Sequence, residues 1–258
     1  MVEFDELLDL SKHVATCAGR RLLDGSSHGD KSYAHCADNV REIKALADRV
    51  LEREILDALV PTGFSILSEE CGYLSGQQTS NRWFIVDPLD GTFNYVKGLG
   101  PSAVSIALWE DQTPLFGVIY DLVERQLVWG GARLGAHAGD RRISVSDTSE
   151  PARASICTGF PARFDFANDR AFEHFRTTVS RYGKVRMLGS AAVSLVNVAR
   201  GSADAYTEQN IMLWDVAAGI AIIQGAGGRV HWEAGTTRYS LNVYASNGIL
   251  SAADWAQP

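Results

Sequence analysis

The sequence predicts a layered α/β protein built from two halves that meet near residue 150. Helical patterns open the chain and are followed by short apolar runs, and helical and extended segments alternate in the second half. Hydrophobic residues make up 46% and charged residues 21% of the 258 residues, which is typical of a globular protein. Because no repeat, low-complexity tract or long linker interrupts the chain, we expect residues 1–150 and 151–258 to form one compact unit.

The first half is expected to begin with two amphipathic helices. The first covers residues 4–22, where apolar side chains recur with a period near 3.6, and the polar stretch 24–30 ends it. The second contains Ile43 on its inner face and stops near Pro61 and Gly63. The short apolar runs that follow predict strands at residues 64–67, 83–86, 103–109, 115–120 and 126–129.

The second half alternates between the two kinds of element. Helices are predicted at residues 170–181, 191–200 and 214–224, and extended segments at 155–158, 203–206 and 243–245.

Charge and cysteine content exclude several classes of protein. Lysine and arginine number 24 against 31 aspartate and glutamate, so a formal charge of −7 disfavours sequence-independent binding to nucleic acid. The acidic start does not resemble a secretory signal, and no run of 18 apolar residues predicts a membrane span. The four cysteines form no C-x-x-C pair. We therefore expect a reduced, cytoplasmic protein that contacts neither nucleic acid nor membrane.

The strongest chemical signal follows the apolar run that ends at Val86. Asp87 comes at the end of this predicted strand, and Pro88 prevents the chain from continuing as regular sheet or helix. The turn can then direct Asp87, the Leu89 carbonyl and Asp90 at one point, and such hard oxygen ligands suit Mg²⁺. A capped turn would use similar residue types, but five specified residues rarely coincide by chance.

An anion site is predicted directly after these carboxylates. Gly91 allows close approach of the backbone to a ligand, and a helix can begin at Thr92. Exposed N–H groups at the start of a helix bind phosphate. One short segment therefore offers a cation site beside an anion site.

Two further segments supply acidic residues. Glu69 and Glu70 close an apolar run, and on an extended strand they would point to opposite faces, so only one is expected to bind a metal directly. Asp215 opens an apolar helix, where helix capping alone would also explain it. The small residues at 189–192 would allow the first turn of another helix to approach a ligand closely.

Competing motifs are missing from the sequence. It contains no G-x-x-x-x-G-K-[ST] loop, no G-x-S-x-G elbow and no H-x-x-x-H spacing. Residues 98–103 match a dinucleotide fingerprint superficially, but no strand leads into them and Pro101 would spoil the turn.

Taken in this order, the segments resemble the inositol monophosphatase family of Mg²⁺-dependent, lithium-sensitive phosphatases. The resemblance covers nearly the whole chain and implies an αβαβα sandwich of the inositol monophosphatase or sugar phosphatase type, usually a homodimer. The segments that carry it are Ser68-Glu69-Glu70, the stretch from Asp87 to Tyr95, Ala103 to Leu108, Gly189-Ser190-Ala191-Ala192, and Trp214 to Gly219.

The resemblance also implies a set of metal ligands. It makes Glu69, Asp87 and the Leu89 carbonyl the ligands of one Mg²⁺, and it counts Glu69 among the catalytic residues. Asp87, Asp90 and Asp215 would hold a second ion, with two or three ions in each active site. The N-terminal half would thus carry most of the ligands, and the C-terminal half would complete the site.

The remaining roles concern the phosphate, the water and the alcohol of the substrate. By the same resemblance, backbone N–H groups of Gly91 and Thr92 hold the phosphate, and Asp48 with Thr92 orients the attacking water. Glu208 binds substrate hydroxyls, and Ala191 lines their pocket. The implied reaction is direct attack by metal-activated water on a phosphate monoester. Glu70 would have a supporting role.

The chain departs from the family pattern in places that bear on the substrate. Lys44 would lie one helical turn before Asp48, where it is either solvated or able to alter a third Mg²⁺ and the sensitivity to lithium. Lys97 stands where a histidine is common, and Met212-Leu213 replaces a pair that usually contains histidine or proline beside the sugar pocket.

Several substrates remain open on the sequence alone. The segment 92–95 and Glu208 favour inositol monophosphate or a related polyol or sugar phosphate. The alternatives on the same metal core are adenosine 3′,5′-bisphosphate, histidinol phosphate and fructose 1,6-bisphosphate. A catalytically idle scaffold that keeps the fold is the alternative from another class.

Overall fold

The computed structural model describes residues 3–27, 33–36, 39–162 and 164–251, with side chains described for 3–24, 46–162 and 164–251. Within these residues, six α-helices, an eight-stranded sheet and a five-stranded sheet lie in layers, and a two-stranded hairpin forms a third, small sheet. This arrangement confirms the predicted layered α/β class. The helices are α1 (Phe4–Ser27), α2 (Leu46–Leu59), α3 (Thr92–Lys97), α4 (Asp169–Ser180), α5 (Ala191–Ala199) and α6 (Leu213–Gly225).

The first layer consists of α1 and α2, which pack on one face of the larger sheet. Leu7, Leu22 and Ile55 are buried there against Phe116. The apolar face predicted for α1 is therefore confirmed, although the helix continues four residues into the polar stretch, to Ser27.

The start of the second helix was predicted wrongly. Residues 33–36 and 39–45 form an antiparallel hairpin, β1 (Tyr33–Cys36) with β2 (Asn39–Ala45), and α2 begins only at Leu46. Ile43 and Lys44 thus belong to a strand, because a short apolar run does not distinguish a helix from a strand. Lys44 is not one helical turn before Asp48, and its side chain lies outside the described residues.

The larger sheet has eight strands in the order β10-β9-β8-β7-β6-β5-β3-β4. Only β3 and β5 pair in parallel, and the other pairs are antiparallel. The short strands β4, β9 and β10 were not predicted, because three or four residues carry too little alternation. The strands are β3 (Ser65–Ser68), β4 (Gly72–Leu74), β5 (Arg82–Asp90), β6 (Ala103–Glu110), β7 (Thr113–Asp121), β8 (Gln126–Gly131), β9 (Gly135–Ala138) and β10 (Arg141–Ile143).

The central layer is formed by α5 and α6, which are buried between the two sheets. Since α6 is apolar on nearly all sides, it suits a position with a sheet on each face. The indole N–H of Trp109 donates to the Ala217 carbonyl of α6, at 3.3 Å. A Cβ on Gly117 of β7 would lie 2.1 Å from the Ala218 carbonyl oxygen, so only glycine permits this contact.

The smaller sheet has five strands in the order β12-β11-β13-β15-β14, with β11 parallel to β12 and β13. Tyr206 of β13 faces the central layer, so Thr207 faces the other side, where it lines a cavity with Ala171 and Phe175 of α4. Helix α4 thus forms the outermost layer. The strands are β11 (Ser155–Thr158), β12 (Lys184–Arg186), β13 (Ala205–Met212), β14 (Arg229–Ala234) and β15 (Ser240–Ser246).

The boundary between the halves stays a prediction. All described strands of the larger sheet end by Ile143, and those of the smaller sheet begin at Ser155 or later. Among the described residues, no helix combines the length and hydropathy that a membrane crossing requires.

The close contact between β7 and α6 gives a stability prediction. Gly117→Ala should lower the free energy of unfolding by about 1–3 kcal/mol, because the added methyl group overlaps the Ala218 backbone and displaces α6. Urea unfolding followed by circular dichroism measures the change as a lower midpoint at similar slope. An unchanged midpoint would contradict this contact.

Candidate active site

Glu69 and Asp87 are brought side by side by the parallel pair of strands. Ser68 of β3 is in register with Val86 of β5, and the Glu69 N–H donates to the Val86 carbonyl at 3.3 Å. The chain leaves β3 at Ser68, so Glu69 and Glu70 lie in a turn and not on the extended strand that the sequence predicted. Glu69 lines the cleft described below, and Glu70 is not among its lining residues.

The turn after Asp87 is held by its own hydrogen bonds. Asp87 Oδ1 accepts from the Leu89 N–H at 3.0 Å, and the Thr92 hydroxyl donates to the Leu89 carbonyl at 3.0 Å. The pairing of β5 with β6 is irregular between Asp87 and Asp90, which lets both carboxylates leave the sheet in this turn. Asp87 and Asp90 therefore come from one turn, and the predicted convergence of the Leu89 carbonyl with them stays a prediction.

Asp90 is bound to the first turn of α5. Its carboxylate accepts a short hydrogen bond from the Ser190 hydroxyl and two from the N–H groups of Ala191, at 3.3 Å, and Ala192, at 3.0 Å. These donors belong to the positive end of a helix, which favours a negative charge. Small residues at 190–192 make this approach to Asp90 possible, whereas the predicted approach of residues 189–192 to a ligand stays a prediction.

Asp215 completes the acidic cluster from the first turn of α6. Its Oδ2 accepts from the Met212 N–H at 3.3 Å. One carboxylate oxygen from each of Asp87, Asp90 and Asp215 lies within 4.8 Å of the others. Residues from the two halves of the sequence therefore meet at one point.

Burial and mutual repulsion make the charged form of this cluster costly. Burial, followed by neighbouring carboxylates that include Glu69, raises the pKa of Asp87 and of Asp215 well above the usual range. Burial also raises the pKa of Asp90, to about 6, although its bonds to Ser190, Ala191 and Ala192 oppose the shift.

The donor set fits a hard divalent cation. The Oδ2 atom of Asp87 is buried and accepts no hydrogen bond from the described part of the chain. No lysine or arginine with a described side chain forms an ion pair with Asp87, Asp90 or Asp215. Several carboxylate oxygens without a protein counter-charge match the ligand preference of Mg²⁺.

The cluster opens into a cleft of about 790 Å³. Asp87 and Leu89 are buried beneath it, and Asp48 is buried in the first turn of α2, outside the lining. The sequence-predicted residues that line the cleft are Glu69, Asp90, Gly91, Thr92, Ala191, Glu208 and Asp215.

The backbone at Gly91 is fixed where the phosphate site was predicted. Gly91 has a φ of 78°, and a Cβ there would lie 2.9 Å from the Pro101 carbonyl oxygen. The Asn94 side-chain amide donates to the carbonyls of Pro101, at 2.9 Å, and Leu188, at 2.7 Å. Asn94 thus connects α3 to the segments that contain Pro101 and Leu188. The N–H groups in the first turn of α3 have no acceptor within the helix.

Glu208 lies in the wall of the cleft. The Tyr206 hydroxyl donates to its Oε2 at 3.1 Å. Burial raises the pKa of Glu208 to about 8, with a smaller contribution from Asp90, while the bond from Tyr206 acts in the opposite direction. The raised pKa favours the neutral form of Glu208, and a neutral carboxyl can donate a hydrogen bond.

Sequence reasoning missed three residues that fix this arrangement. Ser190 and Asn94 were quoted only as parts of motifs, and Glu52, whose carboxylate holds the turn around Glu69, was given no role. The spacing of Asp48 and Glu52, which places two acidic residues on one face of a helix, was the available signal.

The layered fold and the acidic cluster beneath an open cleft define a metal-dependent phosphatase. The inositol monophosphatase family model matches residues 4–257, and the chain belongs to that family. It is accordingly an enzyme that hydrolyses phosphate monoesters.

Similar proteins carry related names. The fructose-1,6-bisphosphatase/inositol-1-monophosphatase of Aquifex aeolicus is 31% identical over 237 residues, covering 88% of this chain and 86% of that protein. The inositol-1-monophosphatase of Mesorhizobium japonicum is 34% identical over 233 residues, covering 87% and 84%. The crystal structure of the extragenic suppressor protein suhB from Bartonella henselae superposes with a TM-score of 0.83 at 31% identity, covering 94% of each chain.

The raised pKa of Glu208 gives a prediction about stability and pH. Its folded-state pKa of about 8 exceeds its ordinary value of 4.5, so the stability of its neutral form is complete below pH 4.5 and lost as pH rises through 8. Glu208→Gln stays neutral, so at pH 8 the metal-free variant should be more stable than the parent, by up to about 4 kcal/mol.

Urea unfolding of both proteins at pH 5 and pH 8 in the presence of a chelator measures this difference. The Tyr206 hydroxyl can still donate to the amide oxygen of the introduced glutamine, so the variant keeps its local hydrogen bond. Parallel pH dependences in the two proteins would show that Glu208 is ionised when folded.

Proposed function

We propose that the protein is a Mg²⁺-dependent phosphatase of small polyol or sugar monophosphates, with inositol monophosphate as the leading substrate. The observation that carries the proposal is the convergence of Asp87, Asp90 and Asp215, with Glu69 nearby, at the base of a cleft. The relative from Mesorhizobium japonicum is named an inositol-1-monophosphatase, which supports the same substrate.

The metal ligands are proposed from the same cluster. One ion would be held by Glu69, Asp87 and the Leu89 carbonyl. A second would be held by Asp87, Asp90 and Asp215, and each active site would take two or three ions. The Leu89 carbonyl accepts from Thr92 and has another lone pair for a metal. When bound, Mg²⁺ supplies positive charge to the phosphoryl oxygens and acidifies water.

The other residues position the reactants. Backbone N–H groups of Gly91 and Thr92 would bind the phosphate, and Asp48 with Thr92 would orient the attacking water. Water would attack phosphorus in line with the departing alcohol. As the new P–O bond forms, the water loses a proton to solvent; the P–O bond to the alcohol breaks, the alcohol oxygen takes up a proton from solvent, and inorganic phosphate remains. A neutral Glu208 would donate to a substrate hydroxyl, and Ala191 would line the alcohol pocket. Glu70 would support Glu69 through the turn that they share.

Fructose 1,6-bisphosphate is the second candidate, since the relative from Aquifex aeolicus is named for this activity as well. Cationic side chains commonly pair with phosphate groups. None of the described residues that line the cleft is a lysine, arginine or histidine. A substrate with a single phosphate therefore stays the leading candidate, and phosphate release from the two bisphosphates tests it.

We further infer a cytoplasmic, lithium-sensitive homodimer that binds neither nucleic acid nor membrane. The formal charge of −7 supports the exclusion of nucleic acid, and the family resemblance supports the dimer and the sensitivity to lithium. Light scattering of the purified protein tests the dimer, and inhibition by LiCl against a KCl control tests the sensitivity.

A substrate panel tests the proposed specificity. Phosphate release with Mg²⁺ should be highest for inositol 1-phosphate among that ester, histidinol phosphate, fructose 1,6-bisphosphate and adenosine 3′,5′-bisphosphate. A higher kcat/KM for either bisphosphate would contradict the proposed substrate class. Release from none of the four esters would favour the scaffold alternative for the physiological role.

Removing one charge from the cluster tests the metal site. Asp90→Asn should lower kcat by on the order of 10³-fold or more while leaving the circular dichroism spectrum unchanged, because a neutral amide is a poor Mg²⁺ ligand. Asp140→Asn, which removes an exposed carboxylate elsewhere, is the matched control and should keep full activity. Activity of Asp90→Asn equal to the control would refute the assignment.

A further inference from the structure

Glu52 is a buried carboxylate on α2 that lies outside the cleft. Its Oε1 atom alone accepts three hydrogen bonds, from the Ser68 hydroxyl at 2.5 Å, the Glu70 N–H at 3.1 Å and the Cys71 N–H at 3.0 Å. Hydrogen bonds to an ionised acceptor are the stronger kind. One oxygen of α2 therefore fixes the turn that follows β3.

Glu69 occupies the middle of this turn. Ser68 on one side and Glu70 on the other are both bound to Glu52, and the Glu69 N–H donates to the Val86 carbonyl of β5, next to Asp87. The backbone of Glu69 is thus held between α2 and β5. Because Glu69 also lines the cleft, these bonds fix the backbone of a residue at the acidic site.

The position of Glu52 suggests more than a packing role. Burying a carboxylate costs free energy unless the group is well paired. An apolar side chain at position 52 would fill the same space at lower cost. All three donors belong to residues 68–71, the segment that carries Glu69. The interaction therefore acts on the geometry of one side chain of the acidic site.

We propose that Glu52 is a positioning residue that sets the affinity of the site for a divalent cation by fixing the Glu69 turn. This inference rests on the proposed function, in which Glu69 binds a metal. Removing a residue that orients a ligand typically weakens metal binding by about 10-fold to 100-fold. Glu52→Ala should accordingly bind Mn²⁺ about tenfold more weakly than the parent.

The direct readout is Mn²⁺ binding to the metal-free protein without substrate, followed by electron paramagnetic resonance of free Mn²⁺. Glu52→Gln keeps a side-chain oxygen as acceptor and should recover most of the lost affinity, a rescue that a role in packing or charge alone does not predict. Asp57→Ala removes an exposed carboxylate from the same helix and should bind Mn²⁺ like the parent.

Two further variants separate the possible failures. Glu69→Gln removes the proposed ligand itself, so unchanged Mn²⁺ affinity in that variant would overturn the metal assignment on which the proposal rests. Weakened binding in Glu69→Gln together with parental binding in Glu52→Ala would overturn the positioning role alone. If Glu52→Ala does not fold, Ser68→Ala decides: several-fold weaker Mn²⁺ binding supports the proposal, and parental affinity overturns it.

Discussion

Electrostatic repulsion among buried and half-buried carboxylates is the constraint on which the site depends. Oxygens of Asp87, Asp90 and Asp215 lie within 4.8 Å of one another, and two ionised groups at that separation repel by about 3 kcal/mol at an effective dielectric constant of roughly 20. A protein that only needed to fold would separate these groups or pair them with cations. A divalent cation from solution would supply the missing charge, and such a cation matches the oxygen donors of the cluster.

Backbone N–H groups around the cluster stabilise its carboxylates without neutralising their negative charge. Asp87 accepts from the Leu89 N–H, Asp215 from the Met212 N–H, and Asp90 from two N–H groups of α5. A lysine in the cluster would neutralise it and compete with a metal ion. Backbone donors instead stabilise each carboxylate and preserve its lone pairs for coordination.

Structure formed by residues that are contiguous in the sequence could mostly be predicted. Contacts between residues far apart in the sequence mostly could not. The turn from Asp87 to Asp90 was predictable because its residues are contiguous and Pro88 restricts the path of the chain. The hairpin that contains Ile43 was missed because strand pairing, not periodicity, decides its structure. Neither the bond from Ser190 to Asp90 nor the bonds to Glu52 follow from spacing, since their partners are 100 and 16–19 residues away.

The two halves of the chain depend on each other at this point. Asp87 and Asp90 leave a strand of the larger sheet, while Asp215 comes from α6, so neither half contains the cluster. Helix α6 is held against that sheet where Gly117 meets the Ala218 backbone, one helical turn from Asp215. A change in the packing of the central layer would therefore move Asp215. The tight core between the sheets thus determines the geometry of the acidic site.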